Sequence, residues 1–371
     1  MIFLQSVFHG SQPRFLFVRR ERGGICNVVG QPGKPVIGMH VSAQVARYEQ
    51  ASHREIFGAF CFLAGHEWCN GREREGSVGE DGNLGQRRMP TDKTLSYSAD
   101  LVKRYDRDRF LTAMFAPERA RDQLLTLYAF NVEIARIRET VTEPMIGQMR
   151  LQWWRDVLTA IAAGDGPPKG HPVAEPLAAL IQVQSLPLDP FLALLEAREQ
   201  DLSDDPPATM NDLVRYCRGS SAGLAVLGVK VIGVDDEVSC ETAESIATAW
   251  ALAGIARAVR FLALAGRVML PTAAMSNQGL ALQDLQNPET AKPVADIVSE
   301  VCNLARDHLA KARENRNTVD LKGLPIFLPA TLADSYLDMF ARAEYQIFDS
   351  RVIRQRPNVA RLWWSNWRKR Y

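Results

Sequence analysis

The sequence predicts an all-α protein on three observations. Beyond Met89 the chain is rich in Ala, Leu, Arg and Glu and poor in Gly, a composition typical of helices. Apolar residues in that part recur every three to four positions, the period of a helix that buries one face. No window sustains the alternation of apolar and polar residues that marks a half-buried strand, and residues 229–234 form the only short run that favours one.

The first 88 residues differ from the rest. They hold more than half of the 25 glycines of the chain, which interrupt this segment too often for regular elements of ordinary length. Residues 43–69 have a weakly helical pattern, in which Cys61, His66 and Cys69 match no zinc signature. We expect residues 1–88 to be a disordered extension, or one translated from a start placed too early, and residues 89–371 to form a helical domain.

Helical patterns follow one another through this second segment. Pro117 and Glu118 mark the start of a helix whose apolar positions continue through residues 121–141. The next pattern, residues 145–163, ends at a run of Gly and Pro. Further helices are predicted at residues 172–183, 190–202, 210–233, 239–264, 291–313 and 329–348. Roughly eight to ten helices without a fixed repeat predict one large bundle that encloses a central space.

Charge and composition exclude several classes of function. The chain has 44 Lys+Arg against 43 Asp+Glu, a net charge of +1, so no dedicated nucleic-acid binder is expected. The 46% hydrophobic content is enough for a large core. Six cysteines without a CxxC pair predict a reducing compartment, and residues 1–18 lack the pattern of a secretory signal.

The C-terminal end is the most polarised part of the chain. Residues 351–371 carry many cations and no acid, and tryptophans lie between them. This pattern predicts an interfacial helix near anionic lipid. The alternative is a terminal helix that caps the bundle with its tryptophans buried. The predicted membrane contacts are Trp363, Trp364, Trp367, Arg368, Lys369 and Arg370.

Two other clusters allow two interpretations each. Trp153 and Trp154, beside Arg150 and Arg155, predict either a cation–π surface or, more simply, one buried tryptophan and one at a helix edge. The acids Asp201, Asp204 and Asp205 are interpreted as a solvated loop rather than a metal site.

Several motifs together resemble the squalene and phytoene synthases, the head-to-head prenyl transferases of the isoprenoid synthase fold. The resemblance spans roughly residues 99–371 and implies an isoprenoid-synthase-type bundle around a central cavity. Residues 266–271 are similar to the family's Gly-Arg-x-Tyr-Leu-Pro. The other matching pieces are Tyr128-Ala129-Phe130, Gln200-Asp201-Leu202, Tyr216-Cys217 and Ser221-Ala222-Gly223.

This resemblance implies two acid-rich motifs on facing helices, where carboxylates hold Mg²⁺ against a substrate diphosphate. In the first motif, Ala135 and Arg136 replace the leading aspartates and only Glu139 remains acidic. We therefore expect no metal ion and no other cofactor, and no catalytic residue is assigned; Mg²⁺ would be needed if the chain were active. The second motif has Arg260, Phe261, Leu264 and Ala265 at the family's positions.

Arginines near these degenerate motifs suggest a site that binds an anion without metal. The alternative is that the arginines are solvated or pair with local acids such as Glu133 or Glu139. The candidate ligand-binding residues are Asn131, Arg136, Arg257, Arg260 and Arg267.

A divergent branch of the family resembles this chain most: the mitochondrial respiratory complex I assembly factor and its bacterial relatives. Residues 129–133, 146–154, 196–202 and 367–371 carry this match. The resemblance implies a non-catalytic role in building complex I, in the bacterial cytoplasm or mitochondrial matrix, peripheral on the inner membrane. The implied partners are a complex I subunit or assembly intermediate, an anionic membrane surface, and a prenyl diphosphate or other lipid. The alternatives are a head-to-head transferase of prenyl groups and an isoprenoid- or lipid-binding protein.

Overall fold

The computed structural model describes residues 96–203, 205–354 and 356–371, together with three short strands near the N-terminus. The chain divides into two compact units, Met1–Arg54 and Glu55–Tyr371. The boundary predicted at residues 88 and 89 and the helical patch at residues 43–69 lie outside the described residues. Disorder or a misplaced start in the first 88 residues therefore stays a prediction.

The first unit contains strands that the glycine pattern had led us not to expect. They are β1 (Phe17–Arg20), β2 (Cys26–Gly30) and β3 (Lys34–Pro35), in an antiparallel sheet of order β1-β2-β3. In its register Phe17 pairs with Val29. The sequence predicted no regular element of ordinary length here, and strands of two to five residues are too short to show an alternating pattern.

The described part of the second unit is all-α, as predicted. Short 3₁₀ turns at Gln200–Leu202, Leu282–Gln286, Pro288–Thr290 and Leu321–Gly323 connect some of the helices. The helices are α1 (Tyr97–Tyr105), α2 (Arg107–Ala113), α3 (Glu118–Ala135), α4 (Ile137–Thr140), α5 (Pro144–Ala163), α6 (Ala174–Gln184), α7 (Asp189–Glu199), α8 (Met210–Val231), α9 (Glu237–Leu264), α10 (Thr272–Asn277), α11 (Ala291–Glu314), α12 (Leu324–Phe327), α13 (Pro329–Arg342), α14 (Ser350–Ile353) and α15 (Val359–Arg368).

Local signals explain several helix boundaries. The side chain of Ser96 caps α1 by accepting a hydrogen bond from the backbone N–H of Ala99. Thr209 and Asp212 form a capping box at the start of α8, each side chain accepting from the other's backbone N–H. Helix α5 ends at Gly164, whose φ of 84° only glycine adopts readily.

Helix α9 is the central helix of this unit. Nearly every residue in its C-terminal half is buried, and it packs chiefly against α8, α11 and α13. With a mean hydropathy of 1.4 over its most apolar window, α9 is long and apolar enough to cross a membrane. However, 89% of that window is buried inside the protein, as expected for the core helix of a large bundle.

An aromatic cluster fixes the helix that carries the first motif. Phe130 of α3 packs edge-on against Trp154 of α5, with ring centroids 5.1 Å apart, and against Phe191 of α7, at 5.5 Å. Each such pair adds roughly 0.5–1.5 kcal/mol beyond simple burial. Trp153 lies at the edge of this cluster and is partly exposed, so the simpler interpretation of the two tryptophans is the one observed.

Candidate functional site

The first motif lies across a break between two helices. Helix α3 ends at Ala135, Arg136 caps it, and α4 begins at Ile137. The guanidinium carbon of Arg136 lies 3.6 Å from the centroid of the Tyr105 ring, and its Nε lies 3.6 Å from Oε2 of Glu139. Arg136 is therefore held between an aromatic face and the last acid of the motif.

Glu139 is the last acid of the first motif and lies largely inside the protein. Burial raises the pKa of its carboxyl to about 7, and nearby Asp201 raises it further, while Arg136 and Arg198 oppose the rise. A cation bound there would have to displace the proton as well as compete with Arg136.

Asp201 is the centre of a hydrogen-bonded network next to the first motif. Tyr216 donates its hydroxyl to Oδ1 of Asp201 at 2.6 Å, and Arg198 donates to Oδ2 at 3.1 Å. Arg267 donates to the backbone carbonyl of Asp201 at 3.1 Å. Because both carboxylate oxygens of Asp201 accept from side chains, it is part of the packed structure rather than of a solvated loop, which corrects that interpretation.

The nearby acid Asp205 does lie in an exposed loop. It accepts a hydrogen bond from the hydroxyl of Ser203 at 2.7 Å. Asp204 lies outside the described residues.

Close to the second motif the structure contains a buried ion pair. Nη1 of Arg257 lies 3.5 Å from Oδ2 of Asp108, and the two side chains are 4% and 3% exposed. Tyr336 of α13 donates to Oδ2 of Asp108 at 3.1 Å and presents its ring face to Arg257 at 3.8 Å. Burial raises the pKa of Asp108.

The partner of Arg257 differs from the expected one. The acids considered from the sequence were Glu133 and Glu139, which are near the motif in the chain, whereas Asp108 lies on α2. No sequence pattern marks Asp108 or Tyr336, because their contact with Arg257 depends on how α2, α9 and α13 pack together.

The other residues of the second motif offer no carboxylate. Phe261 is buried in the core, Leu264 is half-buried at the end of α9, and Ala265 is exposed. The guanidinium of Arg260 lies 5.9 Å from the Phe348 ring. The candidate ligand residues thus fall into separate groups: Arg136 and Arg267 near Glu139 and Asp201, Arg257 with Asp108, and Arg260 beside Phe348.

Asn131, one of the predicted ligand residues, lies inside the bundle on α3. Its side chain is buried, and its Oδ1 atom has no hydrogen-bond partner.

The donor set does not fit the Mg²⁺ cluster that the family implies. Among residues 96–203, 205–354 and 356–371, no three His, Cys, Asp or Glu side chains lie close enough to hold a metal ion. Mg²⁺ prefers several oxygen ligands, and Ala135, Arg136 and Phe261 supply none. That the protein works without a metal remains a prediction.

The C-terminal helix α15 displays its tryptophans. Trp363, Trp364 and Trp367 are 67%, 54% and 64% exposed, so the alternative in which they are buried is not observed. Leu362 is fully buried on the opposite side, and Arg361 donates to Oδ2 of Asp338 at 2.9 Å. The flanking residues Arg368, Lys369 and Arg370 are exposed.

The C-terminal residue holds this end of the chain in place. Tyr371 is buried, and its hydroxyl donates to the carbonyl of Ala312 in α11 at 3.2 Å. Its ring packs against Phe327, with centroids 5.1 Å apart.

This arrangement defines an all-α bundle of the isoprenoid-synthase type. Residues 102–368 match the family model described as Squalene/phytoene synthase. The chain therefore belongs to the squalene/phytoene synthase family, as its motifs predicted.

Comparison with known proteins supports both the family and the branch. The chain is 27% identical over 279 residues to the protein of Bos taurus named NADH dehydrogenase (ubiquinone) complex I, assembly factor 6. The aligned region covers 75% of this chain and 83% of the relative. It is 24% identical over 192 residues to the 15-cis-phytoene synthase of Enterobacter agglomerans, covering 44% of this chain and 63% of that one. The resemblance to the divergent branch is thus confirmed.

A solved structure supports the fold. The squalene synthase of Alicyclobacillus acidocaldarius superposes with a TM-score of 0.60 at 22% identity, covering 68% of this chain and 94% of that chain. At this identity the likeness concerns the fold alone.

Proposed function

We propose that this protein is a non-catalytic assembly factor for respiratory complex I that retains the synthase fold. The observation that carries the proposal is the state of the motif positions. Ala135, Arg136 and Phe261 stand where metal-binding acids are expected, and the one remaining acid, Glu139, faces the guanidinium of Arg136. The name of the relative in Bos taurus suggests what such a protein does instead.

The chemistry of prenyl transfer explains why these changes matter. Loss of a diphosphate from an allylic substrate creates negative charge that bound metal ions neutralise. Losing one preorganised charge-stabilising group typically costs about 3 kcal/mol of transition-state stabilisation. Several metal ligands are replaced together here, and the nearby Arg257 is already paired with Asp108. We therefore expect no useful rate of condensation.

Deletion of the gene tests the assembly role. We expect lower NADH:ubiquinone oxidoreductase activity and less assembled complex I, with the other respiratory complexes unchanged and wild-type protein restoring both. Normal amounts of active complex I in the deletion strain would overturn the proposal.

A turnover assay tests the absence of catalysis. The full chain is incubated with farnesyl or geranylgeranyl diphosphate and Mg²⁺ or Mn²⁺, and released diphosphate is measured. We expect no release above a blank without protein. Robust release that Glu139→Gln abolishes would instead support the head-to-head prenyl transferase. Saturable binding without release would support an isoprenoid-binding protein.

The place of action that we propose is the membrane that holds complex I, on its cytoplasmic side in a bacterium or its matrix side in a mitochondrion. Support comes from α15, where Trp363, Trp364 and Trp367 are exposed next to exposed cations, one of which, Arg368, lies over the Trp364 ring at 4.8 Å. A helix of ten residues is about 15 Å long and cannot span a bilayer, but it can lie in the interface.

A further inference from the structure

We propose that the groove between α5 and α7 docks a basic amphipathic helix of a partner protein. The proposal rests on the assembly function above, because an assembly factor must hold its client. It concerns a different surface from α15. The groove has a volume of 660 Å³ and lies between the outward sides of the two helices.

Helix α5 also carries an exposed apolar ridge, on a side of the helix next to the one that supplies its groove residues Gln152, Arg155, Asp156 and Thr159. Met145 and Met149 are 71% and 66% exposed, and Ile146 and Trp153 are also exposed. Counted from Met145, the other three residues follow after one, four and eight positions along α5, which places all four on one side of the helix. Large apolar side chains clustered on a surface mark contact sites, and methionines adapt to varied apolar partners.

The groove itself is acidic. Among its described lining residues, four carboxylates stand against one guanidinium, Arg155, which pairs with Glu199 at 2.7 Å. Asp156, Asp189 and Glu196 supply the other carboxylates, and Leu192 and Ala193 supply an apolar strip between them.

This combination of charge and apolar surface selects one kind of occupant. An anionic bilayer would be repelled by the carboxylates, although it could accept the methionines. A helix with lysines or arginines beside an apolar face complements both the acidic groove and the apolar ridge. It can place its cations against the carboxylates of the groove and its apolar residues on the ridge.

Direct binding can be measured with a defined probe. The probe is a fluorescent Leu/Lys amphipathic helical peptide of about 18 residues, long enough for several helical turns, and a Leu/Glu peptide of equal length is the control. We expect saturable binding of the Leu/Lys peptide to the full chain, weakened at least tenfold by Glu196→Lys and by Met149→Ser. The exposed Glu300 on α11 provides the matched charge control, Glu300→Lys, which should bind as wild type does.

Several results would overturn the proposal. They are the absence of saturable binding, equal weakening by Glu300→Lys, and binding of the Leu/Glu peptide at similar strength. Self-association of the full chain that Glu196→Lys abolishes would also overturn it, since the occupant would then be a second copy. Binding of the full chain to anionic vesicles that Met149→Ser weakens would overturn it too, since the surface would then contact lipid.

Complementation separates this proposal from the proposed function. In the deletion strain, the Glu196→Lys and Met149→Ser variants are expected to leave complex I activity low despite normal protein amounts, while Glu300→Lys restores it. If the deletion has no effect on complex I, the assembly role fails and the peptide experiment still decides the groove. If the deletion lowers complex I but both groove variants restore it, the groove proposal fails and the assembly role stands.

Discussion

Arg257 and Asp108 form an ion pair inside the helical bundle, with 3.5 Å between Nη1 and Oδ2 and almost no solvent at either side chain. The pair joins α9 to α2, and Tyr336 joins both to α13. Removing two charges from water is costly, and the guanidinium of Arg257 and the hydroxyl of Tyr336 offset only part of the cost at Asp108, whose pKa burial still raises. A cation beside the second motif is thus a structural element of the core.

Breaking this pair should destabilise the protein strongly. Arg257→Met leaves the carboxyl of Asp108 buried without its cation, and we expect the free energy of unfolding to fall by about 3–5 kcal/mol. Asp108→Asn should also destabilise, because it removes the negative charge that faces the buried guanidinium of Arg257. Urea denaturation of both single variants and of the double variant measures the coupling. The double variant should lose clearly less free energy of unfolding than the two single variants lose in sum. Losses that simply add would contradict the pairing of the two side chains.

The raised pKa of Glu139 makes stability depend on pH. Between pH 4.5 and 7 the folded protein keeps a proton that the unfolded chain releases, so the free energy of unfolding falls as pH rises through this window. Above pH 7 the loss of free energy of unfolding no longer changes with pH and is at most about 3 kcal/mol. Solvent screening makes it smaller, because the Glu139 side chain is partly exposed. Glu139→Gln removes the titrating group.

We therefore expect Glu139→Gln to be more stable than wild type at pH 8, by about 1–3 kcal/mol, and nearly equal at pH 5. Chemical denaturation at the two pH values gives the comparison. Glu300→Gln, on the exposed side of α11, is the control and should differ from wild type equally at both pH values. A Glu139→Gln variant less stable at pH 8 would show that the charged carboxylate stabilises the fold.

Local chemistry explains what could be predicted from the sequence. The helix ends at Thr209 and Gly164 depend on side chains and dihedral angles within a few residues, so pattern alone indicated them. The partner of Arg257 and the cation–π contact of Arg136 with Tyr105 join residues of different helices, and no periodicity encodes them. The residue types at Ala135, Arg136 and Glu139 are read directly from the sequence, but the pKa of Glu139 depends on the burial that packing creates.

Close contact between α8 and α7 makes Gly223 sensitive to substitution. A Cβ there would lie 2.9 Å from the carbonyl oxygen of Pro190, which is backbone and cannot rotate away. Alanine favours a helix over glycine by about 1 kcal/mol, but overpacking typically costs about 1–3 kcal/mol. We expect the clash to dominate, so that Gly223→Ala lowers the free energy of unfolding by up to about 2 kcal/mol.

Another glycine of α8 provides the control for this effect. At Gly228 the nearest atom to a new Cβ is Cδ1 of Ile326, also at 2.9 Å, but it is the end of a flexible side chain. Gly228→Ala should therefore cost clearly less than Gly223→Ala in thermal or urea unfolding. Equal losses at the two positions would show that backbone contact is not the cause.

We expect the full chain to bind anionic vesicles through the exposed tryptophans of α15. Co-sedimentation with phosphatidylglycerol-containing vesicles is expected, and binding should weaken with salt and be lost on vesicles of phosphatidylcholine alone. Each cation near such a surface contributes about 1 kcal/mol, so replacing Arg368, Lys369 and Arg370 by Gln should weaken binding about 100-fold.

Substitution of the tryptophans tests the same contact without changing charge. Replacing Trp363, Trp364 and Trp367 together by Ser removes the side chains that would enter the interface, and binding should fall at least tenfold. Leu362 and Arg361 hold α15 on α13 and are left unchanged, so the helix stays docked. The matched control replaces the exposed apolar ridge of α5 by Ser instead, and it should bind vesicles as wild type does. If the ridge variant loses binding and the α15 variants keep it, the membrane-facing surface is α5 and the placement on α15 is wrong.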